Sequence, residues 1–217
     1  MADFTIYIGN KNYSSWSLRG WLMLKQTGVA FTEEMIPLDQ AATRPSILRR
    51  SPSGKVPALQ HGELVLWESL AIGEYLAERF PAARLWPEAP EARAVARAAS
   101  AEMHAGFAAL RSHLPMNMRG SFPDRGLTPA VEADIERIAA LWRDCRERFG
   151  AGGPFLFGSL TIADAMFAPV VSRFRTYKVA LEVEAQHYCD AVWALPALRE
   201  WAEAARNEPM VIERLEF

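Results

Sequence analysis

Ser53-Gly54-Lys55-Val56-Pro57-Ala58-Leu59-Gln60-His61-Gly62-Glu63-Leu64-Val65-Leu66-Trp67-Glu68-Ser69 is the stretch that decides how this chain is read. A Val-Pro pair after a Ser-Gly turn is a candidate cis peptide, because proline brings the cis form to within about 1 kcal/mol of trans. A cis turn there leaves the N–H and C=O of Val56 unpaired beside a strand, and an extended peptide pairs with such an edge. Ala58 to Gln60 and Leu64 to Trp67 read as two short strands turned at His61-Gly62. Ser69 then opens a helix, where its hydroxyl and backbone N–H suit a carboxylate. Glu68 beside it suits an ammonium group. The layout fits a ligand with an extended backbone and a free amino-acid end.

Upstream, Phe4 to Ile8 is β-rich and Asn10-Lys11-Asn12 is a loop. Ser14 or Ser15 then caps a helix carrying Leu18, Trp21, Leu22 and Lys25, which ends near Gly28. Phe31 to Pro37 reads as a strand, and a short helix precedes the Arg49 to Gly54 loop. Downstream, Ser69 to Phe80 has a helical apolar face of Leu70, Ile72, Tyr75, Leu76 and Phe80. The order is β-α-β-α-β-β-α. At Phe80-Pro81 the texture changes, and Pro81, Pro87 and Pro90 punctuate a linker. The expected division is an α/β domain over residues 1–81, a linker over 82–90 and an all-α domain over 91–217. Long helices are expected over Glu91 to Arg111 and Val131 to Phe149, with a loop-rich joint from Pro115 to Pro129 and a break from Gly150 to Gly158. A further helix starts at Thr161 and a last one covers about Ala197 to Arg206. Thr161-Ile162-Ala163-Asp164 is a capping-box pattern with Asp in place of Glu, so Asp164 is structural and not a catalytic acid. Pro169 is expected to kink or interrupt that helix. The cleft between the two domains is the expected site.

The chain has 217 residues, is 50% hydrophobic and carries a net charge of -2, which suits a well-packed globular protein and excludes an electrostatic nucleic-acid binder. The opening Met1-Ala2-Asp3-Phe4 has no secretory pattern and no apolar run is long enough to cross a bilayer, so a cytoplasmic protein with no membrane partner is expected. Cys145 and Cys189 read as buried thiols rather than a disulfide framework. His61, His104, His113 and His187 lack the spacing of a metal site, so no metal is expected.

Chemistry gathers at Tyr13-Ser14-Ser15-Trp16-Ser17. A helix N-terminus carries partial positive charge and unpaired N–H groups, which favour a thiolate over a thiol. A serine hydroxyl adds a charge-assisted hydrogen bond. Lowering a thiol pKa by about two units takes ~2.7 kcal/mol, within reach of those two contributions. Taken alone, the motif reads first as plain N-capping; its meaning changes when Val56-Pro57 and Glu68-Ser69 are read with it. Ser15 and Tyr13 compete with Ser14 for this role, whereas Tyr7 lies within a strand and reads as core.

With these motifs in order, the chain resembles the glutathione transferase family. The resemblance rests on Ser14-Ser15-Trp16-Ser17, Gly54-Lys55-Val56-Pro57-Ala58-Leu59, Glu68-Ser69-Leu70-Ala71-Ile72 with Tyr75-Leu76, and Ser159-Leu160-Thr161-Ile162-Ala163-Asp164-Ala165. It implies a thioredoxin-like first domain, an all-helical second domain and a homodimer. It also implies glutathione as co-substrate with no permanently bound cofactor. The Ser-Ser-x-Ser pattern is similar to the serine-type branch, zeta- or theta-like. By matching position, Ser14 bonds the glutathione sulfur, Val56 pairs with the cysteinyl unit and Pro57 is the cis proline. Glu68 and Ser69 hold the γ-glutamyl end, and Lys55 approaches the glycine carboxylate. Trp16, His104 and Arg111 are the candidate electrophile pocket. Zeta-type enzymes carry a cysteine where Trp16 stands. No cysteine lies in the first domain, which disfavours thiol–disulfide exchange through a protein thiol. The expected activity is detoxifying attack of glutathione thiolate on a small hydrophobic electrophile. Glutathione-dependent isomerisation of the maleylacetoacetate type, peroxide reduction, and a non-catalytic binding or regulatory role are the alternatives.

Overall fold

In the computed structural model, which describes residues 3–216, Phe4–Ile8 forms strand β1 at the centre of a four-stranded sheet. Phe31–Met35 (β2) runs parallel to β1 with Phe4 opposite Phe31, and Ala58–His61 (β3) runs antiparallel with Tyr7 opposite Ala58. Leu64–Trp67 (β4) closes the edge against β3, giving the order β2-β1-β3-β4. The two-residue alternation of β1 sends Phe4, Ile6 and Ile8 into the main core. It sends Tyr7 to the opposite face with Ala58, Ile36 and Ile47, so both faces are covered.

Helix Ser15–Gln26 (α1) follows β1 and Thr43–Leu48 (α2) follows β2. Ser69–Arg79 (α3) lies beside α1 on the main-core face. Leu18, Trp21 and Leu24 are buried on α1, each fully buried side chain contributing about 1.5–3 kcal/mol. Gly20 lets α1 approach the loop before β3, since a Cβ there would stand 3.0 Å from Pro57 Cγ. Gly73 does the same for α3, where a Cβ would stand 2.5 Å from Met23 Sδ.

Beyond a short 3-10 turn at Pro81–Ala83 the chain is helical. Its helices are Pro90–Ala105 (α4), Ala108–His113 (α5), Pro129–Phe149 (α6), Ile162–Tyr177 (α7), Val183–Trp193 (α8) and Pro196–Arg206 (α9). One hydrophobic core runs without a break from Ile6 and Trp21 through Met103 and Trp142 to Tyr188 and Trp201. Trp142 and Trp201 are fully buried, while Trp193 only packs against the core's edge. Cys145 and Cys189 are buried free thiols, each pushed up to about 12 by burial.

Two expectations need correction, and one helix was not foreseen. Glu91 to Arg111 is not one helix: it breaks at Gly106 and Phe107, the latter at φ 57. The break buries the Phe107 ring and lets Asp134 of α6 accept the Leu110 N–H at 2.9 Å. Pro169 does not interrupt α7, which is continuous from Ile162 to Tyr177 and buried along nearly its whole length. Packing on all sides there outweighs the roughly 3 kcal/mol cost of an interior proline. Helix α8 was not anticipated, although Ala185, Tyr188, Cys189 and Val192 bury one face at helical spacing.

Candidate active site

A cavity of about 560 Å³ lies where α1, the loop before β3 and the start of α3 meet the helical domain. Tyr13, Ser14, Ser15 and Trp16 form one wall, Gly54 to Pro57 a second, and Glu68 and Ser69 a third. His104 of α4 and the C-terminal residues Ile212, Arg214 and Leu215 close the rest. The sequence alone gave no sign of the last three.

The Val56–Pro57 peptide is cis, and the Val56 backbone makes no hydrogen bond among the described residues. Lys55 is exposed at the rim, its N–H donated to Ser53 Oγ at 3.2 Å. Glu68 stands at φ 67, ψ 119 and gives α3 no side-chain cap. A positive φ at a residue this size costs on the order of 1–3 kcal/mol and persists where surrounding structure imposes it. Ser69, next in the chain, is buried and its Oγ has no partner. An unpartnered hydroxyl and uncapped N–H groups at one helix start make a carboxylate-binding corner.

The helix start of α1 is wired differently. Ser14 caps it, accepting from the Ser17 N–H at 3.4 Å and donating its own hydrogen to Ser17 Oγ at 2.7 Å. Ser17 Oγ also accepts the Gly9 N–H at 2.9 Å, tying the helix to the end of β1. Ser15 Oγ accepts from Arg173 Nη2 at 3.4 Å. Tyr13 is committed elsewhere: its hydroxyl donates to Glu216 and accepts from Arg119 Nη2 at 2.8 Å and the Ile212 N–H at 3.2 Å. Burial and the Glu216 bond raise its pKa. Tyr7 donates to Gln60 Oε1 at 2.6 Å within the sheet, away from the cavity.

Trp16 and His104 meet edge to face, with ring centroids 5.1 Å apart, and both line the cavity. His104 Nε2 is 3.5 Å from Glu68 Oε2, so the two domains touch across the site. Burial lowers the His104 pKa; Glu68 pulls it up, and Arg19 and Arg111 pull it down. Arg111 stands one layer back: its guanidinium lies 5.6 Å from the Trp16 ring and bonds the His104 carbonyl at 3.0 Å, at the end of α4. Arg19 lies under the same indole at 4.2 Å.

Arg19 and Arg173 were not read as site residues. Arg173 is buried, with Nε bonded to the Leu114 carbonyl at 2.7 Å and Nη1 to the Pro169 carbonyl at 3.1 Å. Arg19 is wholly buried; Nε reaches the Met166 carbonyl at 3.0 Å, and Nη1 and Nη2 have no partner. Burial, then the neighbouring arginines, pulls the Arg19 guanidinium down, and burial brings Arg173 to about 10. The available signal was an arginine inside an otherwise apolar helix face at each position.

Asp164 is fully buried at the start of α7, where its carboxylate accepts from the Leu156 and Thr161 N–H groups and from the Thr161 and Tyr188 hydroxyls. Burial raises its pKa and those donors oppose the rise. It lies outside this cavity and holds the helix.

Two family descriptions match the chain. Residues 13–79 match the N-terminal domain of glutathione S-transferases and residues 128–204 the C-terminal domain. Glutathione S-transferase L3 of Arabidopsis thaliana is 26% identical over 187 residues, covering 85% of this chain and 71% of that protein. The chloroplastic glutathione S-transferase L2 of the same plant is 27% identical over 159 residues, 72% of this chain, and the match spans only 49% of its own length. Maleylacetoacetate isomerase of Rattus norvegicus is 27% identical over 165 residues, 73% of this chain and 66% of that one. Among solved structures, a theta-class glutathione S-transferase from Xanthomonas axonopodis pv. citri with glutathione bound superposes with a TM-score of 0.69 at 25% identity, covering 93% of this chain and 98% of that one. A glutathione transferase homolog from Burkholderia superposes at 0.72 with 24% identity, over 94% and 99% of the two chains.

Proposed function

The chain belongs to the glutathione S-transferase family, and from that premise we propose that it binds glutathione in the cavity and activates the thiol for attack on a hydrophobic electrophile. One observation carries the reading. The unpaired Val56 backbone, the unpartnered Ser69 hydroxyl and the N-terminus of α1 open into the same cavity. These are an edge for an extended peptide, a corner for its α-carboxylate and a positive helix end for its sulfur.

In this reading the cysteinyl unit pairs with Val56 beside Pro57, and the γ-glutamyl end lies at Glu68 and Ser69. Lys55 meets the glycine carboxylate. Ser14 builds the helix terminus at which the sulfur sits, and hydroxyl donation there lowers the thiol pKa. The thiol proton leaves to solvent and the sulfur lone pair attacks the electrophilic carbon, whose bond to the leaving group breaks with that group departing as an anion (halide for an aryl halide). The electrophile is held against Trp16 and His104 with Arg111 behind them. The protein forms no covalent bond; its contributions are thiolate formation and proximity. The exposed Leu64 and Trp67 on the edge strand β4 support a homodimer, and the free thiols suit a cytoplasmic setting.

The test is a glutathione titration followed by turnover of an aryl halide. Saturable binding with conjugation is the expected result; the absence of a complex would defeat the proposal, and binding without turnover would leave a non-catalytic ligand carrier. The 27% identity to a maleylacetoacetate isomerase favours a second reading, in which thiolate adds to and leaves a cis-configured unsaturated acid. Turnover of such an acid without aryl-halide conjugation would select it.

A further inference from the structure

We propose that Ser15, held from behind by Arg173, is the hydroxyl that donates to the glutathione sulfur, and that Arg173 is its positioning residue. The inference rests on the glutathione reading above and departs from the sequence resemblance, which implies Ser14 for this role.

The hydrogen-bond directions separate the two serines. The Ser14 hydrogen is spent on Ser17 Oγ, and its oxygen on the Ser17 N–H. Ser15 lines the same cavity, yet its oxygen accepts from Arg173 Nη2 and no described residue accepts its hydrogen. An N–H bonded to a hydroxyl oxygen orients the hydroxyl and polarises its O–H, making it a stronger donor. Arg173 can do this with little freedom, because Nε and Nη1 are fixed on the carbonyls of Leu114 and Pro169.

Charge points the same way. Arg19, Arg111 and Arg173 gather behind Ser15 and Trp16, and no carboxylate among the described residues pairs with any of them. Guanidinium groups keep their charge in protein interiors, and burying one without a counter-charge is costly. Of the titratable side chains lining the cavity, Tyr13, Lys55, Glu68, His104 and Arg214, only Glu68 is a carboxylate, and it stands at the start of α3 facing His104 rather than bonded to any of the three arginines. A thiolate at Ser15 is the counter-charge this wall lacks. The ionisation balances simply: the thiol releases its proton to solvent, the electron pair stays on sulfur, and Ser15 keeps its own hydrogen while donating it.

The experiment titrates the ultraviolet thiolate absorbance of the glutathione-saturated protein against pH. Ser15→Ala is expected to raise the bound-thiol pKa by about one unit, a tenfold loss of thiolate at pH values below it. Ser14→Ala is expected to shift it less. Arg173→Lys should raise the pKa in the native background and add nothing in the Ser15→Ala background, the mark of action through Ser15. A shift in Ser14→Ala equal to or larger than that in Ser15→Ala overturns the assignment, and equal Arg173→Lys shifts in both backgrounds overturn the positioning role. Should Arg173→Lys fail to fold, the two serine variants decide the assignment alone. A native protein that takes up no glutathione defeats the underlying reading, a result distinct from a complex whose thiol pKa ignores Ser15.

Discussion

Helices α3 and α7 begin in opposite ways. At α7, Asp164 takes four donors, two of them backbone N–H groups, and Thr161 completes the capping box. At α3, Glu68 sits at φ 67 without capping, and the Ser69 hydroxyl is buried with nothing to bond. Both starts carry the same partial positive charge and the same orphan N–H groups. The first satisfies them internally and holds the core together; the second leaves them facing a cavity. The α1 start lies between the two: Ser14 and Ser17 bond each other, while Ser15, on the cavity wall, has no acceptor for its hydrogen among the described residues. How completely a helix start is satisfied from within separates a structural terminus from one that waits for a ligand.

The sharpest way to break the contrast is Asp164→Ala. It strips an acceptor from four buried donors and should destabilise the fold by about 3–5 kcal/mol, a fall in melting temperature of roughly 10 °C. Thermal unfolding followed by circular dichroism measures it, and a change of only a degree or two would remove α7 from the structural side. Ser69→Ala tests the other pole. Loss of a hydrogen bond to a carboxylate should raise the KM for glutathione by about 10- to 100-fold, since such a bond contributes ~1.5–3 kcal/mol. Its melting temperature should stay near that of the native protein, because the hydroxyl has no internal partner to lose. A destabilised Ser69→Ala with native KM would place α3 beside α7. The smallest expected effect concerns His104, across the cavity from α3. Its folded pKa lies below the usual 6.5, chiefly through burial. As pH falls below about 6.5 the unfolded chain therefore takes up a proton before the folded one does, and stability declines. His104→Gln should flatten the melting temperature against pH in that range, and an unchanged slope would assign the decline to other groups.

Much of this contrast is legible in the chain itself. Thr161 to Asp164 announces a capping box because the pattern is local and both partners lie within one turn. Val56-Pro57 and Glu68-Ser69 are legible for the same reason, as is the succession of strands and helices around them, whereas the order of strands within the sheet came from the structure. Helix α8 was missed although its apolar spacing was present, because it is only 11 residues long and no capping side chain marks its start. The break at Phe107 was missed because the bond that accompanies it, the Leu110 N–H donated to Asp134, comes from a helix distant in sequence. Among the site residues, Tyr13 competed with the favoured Ser14 in sequence, and only the fold shows residues 208–216 occupying its hydroxyl.

By itself, then, the sequence determined the α/β unit, the helical unit and the three helix starts, since short-range capping, turn and periodicity rules act over a few residues. Only the tertiary structure decided which hydroxyl keeps a free hydrogen and where the buried charge collects. Arg173 reaches Ser15 across 158 positions of chain, and Arg19 meets Arg173 and Arg111 only through the packing of α1 against the helical domain. Hydrogen-bond direction and Coulomb energy depend on distances in space, which spacing along the chain does not set.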